Sequence, residues 1–270
     1  MHTRTSEVRL HDGTRATCLK KIEALVLDSH IDGYFQHGIR VSQGDIVFDV
    51  GANIGLFGLR TLQRCQGQVS VFAFEPIPAT FSALSANAQR FGADRWHAFP
   101  FGLSSRRRRA SFVYYPASPA MATSYPEAYS NPPELFYKSV QGTAKNAPPA
   151  LWWMRLLPSP VCALIAKSLR ANGQRVECEL RTISDVMAEH GVPRIDLLKI
   201  DAEGEELEVL RGIERADWPK IRQVVVEVHD VDGRLSDITA LLREHGFRDV
   251  VIDKERAFDA LPFCNVYALR

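Results

Sequence analysis

The chain lacks several features that would assign it to a protein class at once. Its five cysteines are scattered and include no C-x-x-C pair. This spacing argues against structural zinc and against a disulfide framework, and it fits a reducing compartment. The opening residues, MHTRTSEVRLHDG, contain no apolar segment of the signal-peptide kind. These absences predict a cytoplasmic protein.

An excess of charge of one sign is also missing. Lysine and arginine number 33 and aspartate and glutamate 32, which leaves a formal net charge of +1. This balance gives no electrostatic case for nucleic acid as a partner. The basic run at 106–109 suits an acidic partner or a solvated turn before a strand, and we favour the turn.

Apolar runs alternate with amphipathic stretches through most of the 270 residues. Near-continuous apolar strands separated by helices indicate a parallel sheet covered on both faces, within a single α/β domain. Residues 1–44 form an N-terminal extension, with two short strands expected around Asp12-Gly13. Two late runs, 249–253 and 265–270, are each candidates for an antiparallel strand. The main strand candidates are DIVFDV (45–50), VSVFAFE (69–75), RWHAFPF (95–101), IDLLKID (195–201) and QVVVEVH (223–229).

Residues 116–175 interrupt this alternation and are rich in proline and aromatic side chains. Prolines break the apolar run PPALWWMRLLPSPVCALIA, so no clean membrane-spanning helix is expected. The segment is either a surface excursion with its own small core or a lid whose aromatics line a substrate pocket. The aromatics in question are Tyr125, Tyr129, Phe136, Tyr137, Trp152 and Trp153.

The turn in VFDVGANIG, residues 47–55, lacks the second glycine of the dinucleotide fingerprint. Asn53 stands where G-x-G-x-x-G needs a glycine for close approach of a pyrophosphate. S-adenosylmethionine carries no phosphate, and its amino acid head favours amides, carbonyls and carboxylates. Asp49 is predicted to receive the ammonium group, directly or through water, and Glu75 to accept both ribose hydroxyls. The turn therefore predicts S-adenosylmethionine rather than NAD.

With these motifs the sequence resembles the FkbM-type methyltransferases. The resemblance rests on GDIVFDVGANIG (44–55), FAFEP (72–76), LLKIDAEGEELEVLRG (197–212) and VVVEVH (224–229). It implies a class I methyltransferase (Rossmann-like) fold, with a seven-stranded, mostly parallel sheet and helices on both faces. It also implies methyl transfer to hydroxyls of polyketide or peptide natural products, or of sugars. The cofactor contacts implied are Gly51, Ala52, Asn53, Gly55, Glu75 and Pro76, with Gly102 and Leu103 along the adenine.

Two pairs of ionisable residues end neighbouring buried strands. Lys199 and Asp201 share one face, as do Glu227 and His229, because side chains two apart point the same way. We predict a buried ion pair between Lys199 and Glu227, since a lysine inside a strand needs a partner. Asp201 and His229 then face the substrate. His229 is the predicted general base because its usual pKa of about 6.5 lies near working pH, with Asp201 orienting it or contacting the cofactor amine.

Two other interpretations concern the same acidic residues. Asp201, Glu227 and His229 would suit a divalent metal, but no metal is predicted because Glu227 is assigned to Lys199. The cluster Glu203, Glu205, Glu206 and Glu208 is explained by the start of a helix that Gly212 ends, with Glu203 kept as a candidate substrate contact.

The sequence therefore predicts an S-adenosylmethionine-dependent O-methyltransferase. Its predicted acceptor is a hydroxyl of a polyketide- or peptide-like molecule, free or tethered to a carrier protein. A sugar or glycolipid hydroxyl is the first alternative. An NAD(P)-dependent oxidoreductase and a non-catalytic binding module on the same fold remain open.

Overall fold

The computed structural model describes residues 5–125, 133–230, 232–254 and 263–270. The N-terminal extension begins with two antiparallel strands, β1 (Ser6–Arg9) and β2 (Arg15–Cys18), on either side of the Asp12-Gly13 turn. The two strands predicted there are confirmed. Helix α1 (Lys21–His30) follows and continues into a 3-10 turn at Ile31–Phe35.

The first half of the main sheet is a regular alternation of strands and helices. The first two of its strands are short and almost entirely buried, as the apolar runs predicted, whereas the third, at the edge of the sheet, is partly exposed. The elements are β3 (Ile46–Val50), α2 (Leu56–Arg64), β4 (Ser70–Phe74), α3 (Pro78–Gly92) and β5 (Trp96–Phe99).

A small second sheet and two inserted helices follow. Strands β6, β8 and β7 lie in that order, and the basic run at 106–109 forms the turn and the first residues of β7. Helices α4 and α5 pack on each other around their own core of Val140, Ala144, Cys162 and Ala166. The elements are β6 (Gly102–Leu103), β7 (Arg108–Tyr114), α4 (Pro133–Lys145), a 3-10 helix (Pro149–Leu156), α5 (Ser159–Leu169) and β8 (Gln174–Arg181).

The last third of the chain completes the main sheet. Its elements are α6 (Ile183–Glu189), β9 (Leu197–Ile200), α7 (Glu206–Arg211), β10 (Gln223–His229), α8 (Arg234–Glu244), β11 (Asp249–Asp253) and β12 (Phe263–Leu269). Gly212 does follow α7, but with φ of −78°, outside the left-handed region. A Cβ there would lie 2.2 Å from the carbonyl oxygen of Ser104, so close packing is what requires the glycine.

The seven main strands lie in the order β11-β12-β10-β9-β3-β4-β5. Every pairing is parallel except those of β12, which is antiparallel to both β10 and β11. Both late runs are thus strands, and the second is the antiparallel one. The predicted class I methyltransferase architecture is confirmed.

Side-chain alternation along the strands builds a core on each face of the sheet. Phe48 and Ile200 join residues of α6, α7 and α8 on one face, whereas Val47 and Val225 join residues of α1, α2 and α3 on the other. In the described ranges no single helix is both long and apolar enough to cross a membrane.

Candidate active site

The turn after β3 approaches the neighbouring strand more closely than any side chain would allow. Gly51 has φ of +70°, and its backbone N–H donates to the carbonyl of Phe74 at 3.1 Å. A Cβ at Gly51 would lie 1.7 Å from the carbonyl oxygen of Asp201. Only glycine fits here, for its conformation and for its space.

The rest of the turn is fixed by the side chains of Asn53, in the turn itself, and of Asn87, in helix α3. Asn53 has φ of +50°, and its Oδ1 accepts the N–H of Ile54 at 2.7 Å. Asn87 of α3 donates to the Ile54 carbonyl at 2.8 Å. Gly55 caps α2 and does not line the cavity described below, because a Cβ there would point at Leu84 and Trp96. The predicted cofactor contact of Gly55 is therefore not supported.

Glu75 extends from the end of β4 toward this turn. Its Oε2 accepts the N–H of Asn53 at 3.1 Å and its Oε1 accepts the N–H of Ile77 at 2.9 Å. Burial raises the pKa of Glu75 to about 7, against the effect of these two N–H groups. A carboxylate has about four lone-pair sites, so two remain for hydroxyl donors.

A cleft opens at the carboxyl ends of the parallel strands, where ligands bind in sheets of this type. It holds about 1350 Å³ of empty space, part of it open to solvent at its mouth. The residues predicted to contact the cofactor that line it are Gly51, Ala52, Asn53, Glu75, Pro76, Gly102, Leu103 and Asp201.

The far end of the cleft is walled by the small second sheet. Gly102 packs so tightly that a Cβ would lie 2.7 Å from Leu180 and 3.3 Å from Pro76. Leu103 and Phe112 add apolar wall beside it. The residues of the second sheet that line this end are Gly102, Leu103, Phe112 and Leu180, which offer apolar wall at the predicted adenine position.

Lys199 does not pair with Glu227, and that prediction is wrong. Its Nζ lies 3.1 Å from Asp49 and 3.7 Å from Asp201, and it donates to the Gly51 carbonyl at 3.1 Å. The reason is register, because Asp49 and Lys199 are direct partners on β3 and β9. Burial alone would lower the pKa of Lys199, but Asp49 and Asp201 more than offset this and raise it.

Asp49 consequently has a different role from the predicted one. It is completely buried and does not line the cleft. The predicted direct contact with the cofactor ammonium group is therefore corrected: Asp49 neutralises Lys199 beneath the turn. Asp201 is the carboxylate of this set that reaches the cavity wall.

Tyr34, which carried no sequence motif, joins the two carboxylates of the wall. Its hydroxyl lies 3.1 Å from Asp201 Oδ2 and 3.1 Å from Glu227 Oε2, and it donates its one proton to either. Burial, followed by the charges of Asp201 and Glu227, raises the pKa of Tyr34 well above its usual value. Burial, then Asp201, also raises the pKa of Glu227 to about 8. Glu227 is thus a carboxyl that exchanges its proton near neutral pH.

His229 does not face the cleft, contrary to the prediction. Its Nδ1 lies 3.0 Å from Glu206 and its Nε2 3.5 Å from Glu203, and it is not part of the cavity wall. Burial alone would lower the pKa of His229, but Glu206 and Glu203 raise it to about 10. The imidazole is therefore a cation at neutral pH that holds the turn before α7, and its assignment as general base is wrong.

The remaining acidic residues are held in the same turn. Glu205 accepts from Ser104 at 3.0 Å and Ser124 at 2.8 Å, and pairs with Arg108 at 3.0 Å. Glu203 and Glu205 both line the cleft. Over the described ranges, no three His, Cys, Asp or Glu side chains are grouped so as to hold a metal ion, and this includes Asp201, Glu227 and His229.

The inserted segment contributes less to the cleft than its aromatics suggested. Pro119, Ala120 and Ala122 line the wall, and Glu23 of α1 fixes them by accepting the Ala120 N–H at 2.8 Å. The predicted aromatic lining is wrong for Tyr125, Phe136, Tyr137, Trp152 and Trp153, none of which borders the cleft. Tyr129 lies outside the described residues.

Comparison with known proteins decides the family. The profile of the methyltransferase FkbM domain matches residues 49–248. The 31-O-demethyl-FK506 methyltransferase FkbM of Streptomyces tacrolimicus is 40% identical over 240 residues, which cover 88% of this chain and 85% of that protein. The chain belongs to the FkbM methyltransferase family. As a member of it, the protein is an S-adenosylmethionine-dependent methyltransferase.

Two further proteins that are similar to this FkbM-family chain are longer than it is. The AMB antimetabolite synthetase AmbE of Pseudomonas aeruginosa is 35% identical over 275 residues, 98% of this chain but 12% of that protein. The crystal structure of methyltransferase FkbM from Methylobacillus flagellatus has a TM-score of 0.54 at 16% identity, covering 88% of this chain and 47% of that one. The latter agrees with the fold.

Proposed function

We propose that this FkbM-family protein methylates a hydroxyl group on an uncharged, largely apolar acceptor of the polyketide or peptide kind. The observation that carries the proposal is Glu227, a carboxyl with a pKa near 8 in the wall of the cleft, hydrogen-bonded to Tyr34. A hydroxyl acceptor must lose a proton as its oxygen is methylated. A carboxylate of raised pKa is a stronger base than an ordinary one.

The cofactor half of the cleft fits S-adenosylmethionine. Gly51, Ala52 and Asn53 line this half of the cleft, and Glu75 keeps lone pairs for both ribose hydroxyls. Asp201, at the wall above Lys199, is placed for the ammonium group. The bound cofactor supplies an electrophilic methyl group next to a sulfonium charge, which suits a wall rich in carboxylates.

The acceptor half uses the chain's own residues to hold and move one proton. Tyr34 positions the Glu227 carboxylate by donating its one proton to Oε2, a proton for which Asp201 Oδ2 competes. Glu227 would accept the proton of the acceptor hydroxyl as its oxygen is methylated. S-adenosylmethionine, held by the turn and Glu75, would supply the methyl group and leave as S-adenosylhomocysteine. Rate acceleration comes mainly from positioning the two reactants and from excluding water.

The charge of the cleft supports an uncharged acceptor. Among its described lining residues there is no arginine, and its lysine, Lys199, is committed to Asp49. A carboxylated or phosphorylated acceptor would find no cation with which to pair. The name of the 31-O-demethyl-FK506 methyltransferase supports methyl transfer to oxygen. Similarity to part of an antimetabolite synthetase supports a tethered acceptor as a second version of the proposal.

A labelled-methyl assay tests this function. Purified protein is incubated with S-adenosylmethionine carrying a labelled methyl group and with hydroxylated acceptors, each matched to its carboxylated analogue. We expect label on oxygen in uncharged acceptors, at a rate that rises with pH through about 8 as Glu227 loses its proton. Label on nitrogen or carbon, or a preference for the carboxylated analogues, would contradict the proposal.

A further inference from the structure

The inserted helices expose several large apolar side chains to solvent within one short segment of the chain. We call these residues the outer face: Trp152, Trp153, Leu156, Val161 and Leu164, which are 62%, 42%, 70%, 37% and 69% exposed. Elsewhere in the described chain, only Ile22, Val251 and Ile252 are large, apolar and comparably exposed. Such a concentration on one segment marks an interaction surface.

Helix α5 is apolar on both of its sides. Cys162 and Ala166 are buried on the inner side in the core shared with α4. Val161 and Leu164 occupy the outer side, where a helix of this kind would ordinarily be polar. The inner residues explain how α5 folds, whereas the outer ones are exposed to solvent in the part of the chain that the structure describes.

The charges around the outer face have a single sign. From residue 135 to 176 the sequence contains six basic residues and no aspartate or glutamate, although the whole chain is nearly neutral. Five of the six are exposed: Lys138, Lys145, Arg155, Lys167 and Arg175. A segment that combines exposed tryptophan and leucine with exposed lysine and arginine is complementary to a negatively charged and apolar boundary.

We propose that the outer face binds the headgroup layer of an anionic lipid bilayer. Tryptophan and leucine enter the boundary between headgroups and acyl chains, and the cations contact lipid phosphates. A second copy of the chain would bring the same positive charge to this face, so self-association is disfavoured. A lipid surface also needs no matching shape, which suits two helical pieces meeting at a break.

The geometry favours lying on the bilayer over crossing it. The 3-10 helix and α5 together have the length and composition of a broken span, but they meet at 115°. The inner side of α5 is also packed on α4, so only one side is available to lipid.

The outer face stands beside the catalytic cleft. The 3-10 helix Pro149–Leu156 packs against α1, which lines the cleft through Val26, Leu27 and His30. Attachment would thus hold the cleft near the layer in which apolar molecules concentrate. The binding itself does not rest on the proposed acceptor, and its test requires no methyl transfer.

Vesicle binding by the full chain tests the inference. Of the four tryptophans, Trp96 and Trp218 are each 3% exposed, so a change in tryptophan emission on lipid binding reports on Trp152 and Trp153. With vesicles containing about 30% phosphatidylglycerol in phosphatidylcholine we expect co-sedimentation and a blue shift, and about tenfold weaker binding to phosphatidylcholine alone. High salt should weaken the binding.

A pair of matched double variants completes the experiment. Trp152→Ser with Leu164→Ser should lower vesicle affinity about tenfold or more, while Val251→Ser with Ile252→Ser should leave it unchanged. Both should titrate with S-adenosylmethionine as the parent does. Absence of binding to anionic vesicles, or equal loss in both double variants, would overturn the proposal. So would a dimer that only the first variant dissociates, because a second copy would then cover the outer face.

Discussion

The carboxyl edge of the main sheet and the inserted helices use charge in opposite ways. At the edge, Asp49, Lys199 and Glu206 are buried, and each contacts a partner of opposite charge. On the insertion, the exposed cations Lys138, Lys145, Arg155 and Lys167 lie in a stretch, residues 135–176, that contains no aspartate or glutamate. Buried charges must be paired, whereas exposed ones are solvated. Substitutions should therefore have large effects at the edge and small ones on the insertion.

The largest effect is expected from Gly51→Ala. The new methyl group would lie 1.7 Å from the carbonyl oxygen of Asp201 and collide with it. The alanine would also have to adopt the left-handed backbone conformation of Gly51. We expect a loss of about 1–3 kcal/mol in unfolding free energy from the backbone conformation alone, and no measurable S-adenosylmethionine binding by calorimetry. Gly33→Ala is the control, because nothing lies within 4 Å of a Cβ there. Normal cofactor binding by Gly51→Ala would contradict the account of the turn.

Glu227→Gln should come next. Removing the base should lower kcat by about 10²–10⁴-fold and flatten the pH profile near 8, with cofactor binding retained. Stability gives a second readout. The pKa of Glu227 is raised from 4.5 to about 8 on folding, so its contribution to stability is present below pH 4.5 and is lost as pH rises through 8. The variant should lose that dependence. Glu177→Gln, at an exposed position on β8, is the matched control.

His229→Gln should affect stability more than chemistry. Because the pKa of His229 is raised from 6.5 to about 10, its stabilising effect is complete below pH 6.5 and is lost as pH rises through 10. We expect a deficit of about 1–3 kcal/mol at pH 6 that shrinks toward pH 10, measured by urea unfolding. A loss of kcat as large as that of Glu227→Gln would restore the histidine as the base.

The smallest effect is expected on the insertion. Leu164→Ser removes an apolar side chain that is already 69% exposed, so unfolding free energy should change by less than about 0.5 kcal/mol. Cofactor titration should be unchanged as well. A large destabilisation would show that the outer side of α5 is packed in solution, and the contrast between the two regions would fail.

The difference between local and long-range contacts explains what could be predicted from the sequence. The strands, the turn at Gly51 and the position of Glu75 follow from local patterns, because period, turn chemistry and strand ends are encoded by neighbouring residues. Lys199 was assigned the wrong partner because its pairing with Asp49 depends on the register between β3 and β9, which are about 150 residues apart.

The contacts of Tyr34 and His229 also come from parts of the chain outside their own local sequence pattern. Tyr34 was missed because a 3-10 turn has no motif and its partners are 167 and 193 residues distant. For His229 the strand sequence predicts an imidazole of ordinary pKa, but the glutamates that raise this pKa come from the turn at 203–206. Strand position alone does not determine what a side chain contacts.

The contact of Tyr34 with Glu227 has a consequence for how relatives are compared. The family match begins at residue 49, so the N-terminal extension falls outside it although it supplies Tyr34 and part of the cleft wall. Phylogenies built on the matched domain therefore leave out Tyr34 and the residues of α1 that line the cleft. Chimeras that exchange the region from α1 through Phe35 between relatives would measure how far this part of the wall sets acceptor choice.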